Sequence, residues 1–451
     1  MNTTDTPFSG ITVRLSRMLG CKPGELAPAL WAFAYFFCLL AGYDVIRPLR
    51  DEMGVRGGVD QLQWLFTGTF AVMLIAVPIF GALTSRFPRR RFLPAVYLFF
   101  IANMVFFWLL FRSDVGEVIA ARSFFIWASV LNLFVVSVFW SLMADLFDRQ
   151  QAARLFGFVA AGGSTGAIAG PALTTQISSL LGADNLLLVS AALFTLALVC
   201  MGRVVHTASP QISVERQAEA EQAMGGSILE GFYLVLRSPY LLGICVLMLL
   251  TTSMATFLYF QQARIVSDLF SSSEDRTAVF AAIDLAVNVT ALLLQIFGTS
   301  RLVRRLGLPA ALATVPVLMV VVFIGLGVAP ALSMLVIAQV IRRGGNYGLM
   351  RPCREMLFTV VGRRAKYKAK NFIDTVVYRG GDVVSAWVYA GLAALGLGVG
   401  QTALVAAPVA GLWALVAWRL GRSLENKSHD EPDTEEPTAV ESGLKVSGPE
   451  N

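Results

Sequence analysis

Charged side chains stand inside sequence that is otherwise apolar enough to cross a membrane, and they are the residues of this chain with chemistry to perform. Asp44, Arg47, Arg50, Asp51 and Glu52 follow the apolar run 26–40; Arg342 and Arg343 interrupt another; Asp374, Tyr378, Arg379 and Asp382 lie in a third. An ionised side chain at the bilayer centre costs at least about 2.5–3.5 kcal/mol, so each of these needs a partner, water or a ligand. Such charges predict a polar cavity within the membrane. Arginine suits phosphate in particular, because its planar fork offers two parallel charged hydrogen bonds.

Spacing groups these residues. At helical periodicity Asp44, Arg47 and Asp51 share a face with Arg50 beside it, and Pro48 removes a backbone donor, which predicts a bend or a break. The two arginines either meet an anionic ligand or pair with Asp44 and Asp51 at the membrane edge. Arg343 and Tyr347 face together, as do Asp374 and Tyr378. Arg379 and Asp382 also share a face and have the alternative of a purely structural ion pair. Asp284 and Asn288 form a further polar stripe. Asp284 is placed to carry a proton, to bind a coupling ion or to neutralise an arginine.

The elements that must position them are membrane spans. The chain has 451 residues, 56% hydrophobic and 15% charged, with mean hydropathy +0.66. A soluble protein carries roughly 25% charged residues. Twelve candidate spans can be drawn, at 26–46, 62–83, 92–111, 124–143, 155–176, 186–205, 239–260, 278–298, 310–328, 331–350, 371–395 and 402–420. Each is near the roughly 20 residues that a crossing requires. The expected fold is an all-α integral membrane protein with two six-helix halves, 26–205 and 238–420, joined by a cytoplasmic linker, 206–237. Segment 1–25 reads as a cytoplasmic interfacial segment: Arg14, Arg17 and Lys22 alternate with apolar residues, and no signal-peptide cleavage site follows. Segment 421–451 is polar, acidic and Pro-rich towards its end and reads as a disordered cytoplasmic tail.

The net charge of +6 is topological rather than a sign of nucleic acid. Arg and Lys gather at 86–91, 301–305 and 351–370, all after even-numbered spans. By the positive-inside rule both termini are cytoplasmic, which for a bacterial chain means the inner membrane. The basic stretch 351–370 could also hold anionic lipid, at about 1 kcal/mol per residue near such a surface. Five scattered cysteines form no disulfide or zinc pattern, and the two histidines lie at the edge of the spans or outside them. No metal or cofactor is expected, and coupling to protons would fall to carboxylates.

Weak internal echoes point to a duplication. Ser85-Arg86-x-x-Arg89-Arg90 after the second span matches Ser300-Arg301-x-x-Arg304-Arg305 after the eighth. Trp140-Ser141-Leu142-Met143 parallels Tyr347-Gly348-Leu349-Met350, and Gly162-Gly163 parallels Gly380-Gly381. Two repeats around a midplane site are the plan of many secondary transporters. The loop 81–91, with Arg86, Arg89 and Arg90, resembles the gating loop of the major facilitator superfamily, with Ser85 where that family usually has aspartate. Gly166-x-x-x-Gly170-Pro171 resembles a motif of its antiporters, although close helix packing also accounts for glycines at this spacing.

A more specific resemblance is to the nucleotide (ATP/ADP) translocases of plastids and intracellular bacteria. It is carried by Tyr43-x-x-x-Arg47-x-x-Arg50-Asp51, by Pro352-Cys353-Arg354-Glu355-Met356, by the lysines Lys366, Lys368 and Lys370, and by Ile373-Asp374-Thr375-Val376. The resemblance implies a major-facilitator-like fold and implicates Arg47, Arg50, Arg354, Lys368, Lys370, Asp374 and Arg379 at the site. The residues themselves add Arg343, Tyr347 and Tyr378 for the solute, and Asp44, Asp51, Asp284, Asp374 and Asp382 for coupling or charge pairing. No Gly-x-x-x-x-Gly-Lys-Ser/Thr loop occurs, so a nucleotide would be cargo rather than fuel, and an enzyme is not expected. The sequence therefore points to a secondary transporter of a small anionic, phosphate-bearing solute. The alternatives are a proton-coupled carrier of a peptidoglycan fragment, sugar phosphate or organic acid, and a non-transporting scaffold or lipid-handling protein.

Overall fold

The computed structural model describes residue 22, residues 24–86, 89–113, 116–208, 228–361, 369–370 and 372–430. The side chains of 81–91, 149, 153, 228–231 and 427–430 lie outside this description, so the expectations for Arg86, Arg89, Arg90 and Lys368 do too. The interfacial helix expected near the N-terminus also falls outside it.

Backbone amides in hydrocarbon must be satisfied within their own segment, and the described residues are accordingly helical. The first half comprises α1 (Leu26–Arg56), α2 (Leu62–Arg86), α3 (Arg89–Phe111), α4 (Glu117–Leu146), α5 (Arg149–Leu181) and α6 (Leu186–Ala208). After a short helix α7 (Ile228–Arg237) come α8 (Pro239–Leu269), α9 (Ser273–Leu293) and α10 (Thr299–Val328). The tenth span begins as α11 (Leu332–Gln339), passes through π turns at Val340–Gly344 and Asn346–Met350, and ends as α12 (Arg351–Leu357). The eleventh has a π turn at Ile373–Val377 followed by α13 (Tyr378–Ala394), and α14 (Val399–Asp430) completes the bundle.

Among the described residues, nine helical stretches are long and apolar enough to cross a membrane. One of them, Ser273–Val328, holds two crossings that turn at Gly307, whose φ of 77° favours glycine. The charged, π-interrupted tenth and eleventh spans supply the others, consistent with a twelve-helix plan. Side chains such as Ile75, Phe99 and Val321 are 63, 59 and 66% exposed, forming the surface that hydrocarbon would cover.

Local signals set several helix starts. Asp148 and Gln151 exchange side-chain and backbone bonds in a capping box at α5. Ser238 caps α8 with Pro239 behind it, and Ser272 caps α9. The buried apolar residues fall into two clusters, one drawn from α1 to α6 and one from α7 to α14. Val55, Leu62, Leu65 and Phe125 of the first half pack into the second cluster. The glycines of α5 serve close approach: a Cβ on Gly170 would lie 2.7 Å from the carbonyl oxygen of Ala41, and Gly162 and Gly166 abut Phe33 and Phe37 of α1.

Three boundaries differ from the sequence expectation. α1 does not end near residue 46 but runs through Pro48 to Arg56, so its charges lie within a span rather than at its edge. They can do so because each has a partner, as described below. α14 continues to Asp430, past the point where a disordered tail was expected. The expected linker is helical at both ends, since α6 reaches Ala208 and α7 covers Ile228–Arg237.

Candidate functional site

The long first helix carries its charges to the interface between the halves. There a cavity of about 190 Å³ is lined by Arg47, Arg50 and Asp51 of α1, by Arg342, Arg343 and Tyr347 of the tenth span, and by Tyr378, Arg379 and Asp382 of α13. Five arginines against two aspartates make its wall basic.

Each arginine has a distinct environment. Arg343 Nη1 lies 2.6 Å from Asp284 Oδ1, and Arg47 Nε lies 3.5 Å from Asp284 Oδ2, so one carboxylate of α9 serves an arginine from each half. Asp44 Oδ1 also approaches Arg47, at 3.6 Å. Arg50 pairs with its neighbour Asp51 and stands over the rings of Phe125 and Tyr259, 5.1 and 5.9 Å from their centres. Tyr259 donates to Asp51 Oδ1 at 3.2 Å. Arg379 lies 3.7 Å from Asp382, which accepts from Thr256 at 3.4 Å.

Arg342 is different. Its Nη2 donates to Gln339 Oε1 at 3.0 Å, its Nε is buried without a partner, and no carboxylate pairs with it among the described residues. Arg343 likewise keeps a buried Nη2 with no partner and is only 6% exposed. Leaving a buried charge uncompensated costs several kcal/mol. A ligand carrying negative charge would offset that cost.

At the end of this cavity reached by the C-terminal end of α1, contacts bridge the two halves. Arg276 donates to both oxygens of the fully buried Glu52 at 2.6 and 2.8 Å and to the carbonyls of Phe270 and Ser271 at 3.0 Å each. Arg264 reaches Asp60 at 2.6 Å. Trp387 packs edge-on against Trp64 and donates to Thr67 at 3.1 Å. All three contacts join the two halves.

The structure brings together Arg47, Arg50, Asp51, Arg343, Tyr347, Tyr378, Arg379 and Asp382 at the cavity, with Asp44 and Asp284 behind the arginines. It does not bring Arg354, Lys370 and Asp374 there. Arg354 bonds the sulfur of Met248 at 3.1 Å and lies 3.6 Å from Asp374, while Lys370 pairs with Glu355, forming a separate cluster nearer the termini. Asp374 and Tyr378 part company: Tyr378 lines the cavity, whereas Asp374, in the π turn at Ile373–Val377, lies beside Arg354. Asn288 does not join Asp284 but donates to the Ala167 carbonyl at 2.6 Å.

The sequence pointed to a ligand or gating role for Arg342 together with Arg343, but only Arg343 was grouped with the solute, and Gln262, Gln339, Tyr259 and the phenylalanines were overlooked. The two glutamines bond each other in the cavity wall. Their signal was present as uncharged polar interruptions of apolar runs. The aromatic lining carried no such signal, because 31 phenylalanines are spread over the spans.

Comparison with known proteins agrees with this architecture. Residues 32–369 match the model of the Major Facilitator Superfamily. A D-xylose–proton symporter superposes with a TM-score of 0.60 at 14% identity, over 87% of this chain and 97% of that one. A bacterial homologue of the human lysosomal transporter Spinster, inward-facing and unoccupied, gives 0.57 at 13% identity, over 90% and 98%. A nucleoside transporter gives 0.55 at 15% identity, over 89% and 99%. At these identities the likeness extends to the fold alone. No curated protein matches the sequence significantly.

Proposed function

Because the chain belongs to the Major Facilitator Superfamily of transporters and is an integral multi-pass membrane protein, we propose that it is a secondary carrier of an anionic, phosphate-bearing solute, with ATP and ADP as the leading substrates. The observation that carries this reading is Arg342, a cation in the cavity wall with no carboxylate partner among the described residues. Four further arginines line the same wall, and aromatic rings stand beside Arg50. This combination suits a phosphate group attached to a planar ring.

The basic loops set the termini in the cytoplasm of a bacterial inner membrane. In that orientation the Glu52–Arg276 end is external and the carrier is shut to the outside. Exchange follows from electrostatics: an empty cavity holds uncompensated positive charge, so the return step is easier with a second anion bound. The test is calorimetric titration of ATP, ADP and pyrophosphate into purified protein and its Arg342→Gln variant. Binding should weaken at least about tenfold, the equivalent of 1.4 kcal/mol, with the melting temperature unchanged or raised. A variant that binds as tightly as the native protein contradicts the proposal.

Asp284 supports a second reading. A buried carboxylate shared by two arginines is suited to carrying a proton when the arginines turn to a substrate. The protein would then be a proton-coupled carrier of another polar solute, such as a sugar phosphate, an organic acid or a peptidoglycan fragment. Uptake driven by a pH gradient with no counter-substrate would favour it.

A further inference from the structure

A second chamber, of about 460 Å³, lies between α5, α9 and the junction of the tenth span with α12. Tyr347 lines both this chamber and the central cavity. Its backbone is held there: Gln295 Nε2 donates to the Tyr347 carbonyl at 3.1 Å, which uses an oxygen that the π turn leaves available. On the opposite wall Asn288 ties α9 to α5 through the Ala167 carbonyl.

The chamber's charges are unequal. Glu355 lines it, but its carboxylate is engaged by Lys370, with Arg354 3.9 Å away. Arg351 also lines it, is exposed, and makes no ion pair among the described residues. A lone basic residue at the end of a span is ordinarily topogenic. This one stands at the mouth of an open pocket whose wall also carries Ser164, Asn288 and Gln295, and it faces the space beside Tyr347.

We propose that this chamber is an outer anion subsite, in which Arg351 concentrates the phosphate-bearing solute before it passes Tyr347 into the central cavity. The solute would thus meet two basic stations in series, with the Tyr347 side chain as the partition. This inference rests on the anionic-solute reading of the central cavity.

The test uses probes of opposite charge, each rate divided by that reagent's rate with a small free thiol. In protein whose cysteines are replaced by alanine, a single cysteine is placed at Ser164 in the chamber or at Thr256 in the central cavity. Its modification by an anionic methanethiosulfonate (the ethylsulfonate) is compared with that by a cationic one (the trimethylammonium reagent). The Ser164→Cys site should favour the anionic reagent. Adding Arg351→Gln should cut that preference about thirtyfold, because a unit charge worth about 1 kcal/mol nearby acts in opposite directions on the two reagents. Arg351→Lys should retain it, which separates charge from folding. A preference at Thr256→Cys with none at Ser164→Cys, or one at Ser164→Cys indifferent to Arg351→Gln, overturns the outer subsite and leaves the central site standing. No anionic preference at either position overturns both.

Discussion

Asp284 of the second half receives Arg343 at 2.6 Å on one carboxylate oxygen and faces Arg47 of the first half at 3.5 Å on the other. One buried anion therefore joins the two halves through the cations that a solute would have to engage. Any anion entering the cavity competes with Asp284 for both guanidinium groups, so binding and the contact between halves are linked.

Asp284→Asn should consequently bind the anion more tightly and transport it more slowly. Removing the internal competitor strengthens attraction for the solute by about tenfold if it changes the interaction by 1.4 kcal/mol. Release then becomes the slow step. Titration of ADP together with its flux in proteoliposomes checks this; weaker binding with normal flux would contradict it.

The Glu52–Arg276 end offers a second prediction. Glu52 is fully buried and both its oxygens are held by Arg276. Hydrogen bonds to a charged group contribute about 1.5–3 kcal/mol. Glu52→Gln should therefore move the population towards a state open at that end by about tenfold or more, since the bonded charge is lost while Arg276 keeps its carbonyl partners. Spin-label distances between the loop at residues 57–61 and the start of α9 report it: a longer population should appear, and an unchanged distribution would show that the pair is no latch.

Much of this arrangement was legible in sequence, and the reasons for the gaps are physical. The charges at 44–52 announced a cavity because hydrocarbon tolerates no unpartnered ion. Their position within α1 was hidden, since the partners that let the helix continue, Arg276 and Tyr259, come from more than 200 residues away. Periodicity placed Arg343 with Tyr347 but failed for Asp374 and Tyr378, because Asp374 is drawn to Arg354, a partner from another element that spacing does not reveal. The resemblance to nucleotide translocases grouped Arg354 and Lys370 with the cavity arginines, but in the structure they pair with Asp374 and Glu355 instead.

Outside the spans, Glu25 anchors α1 to α5 and gives a pH prediction. Burial alone would raise its carboxyl, but bonds from the Lys22 amide, Arg154 and Gln151 more than offset this and hold it below the usual glutamate value. The stabilisation is full at neutral pH, above the unfolded value of about 4.3, and is lost as pH falls through the lower folded value. Glu25→Gln should lower the melting temperature at pH 7, by an amount corresponding to about 1–2 kcal/mol. The difference from native protein should shrink as pH falls below about 4.3 and vanish only below the lower folded value, and a pH-independent difference would contradict this.

Exchange of an anionic solute shows itself in counterflow. Proteoliposomes are loaded with ATP or left empty, and uptake of labelled ADP is followed without a proton gradient. The account predicts uptake only into loaded vesicles, abolished by Arg342→Gln in protein that melts and inserts as the native one does. Equal uptake into empty vesicles, or none from folded and inserted native protein, would contradict it.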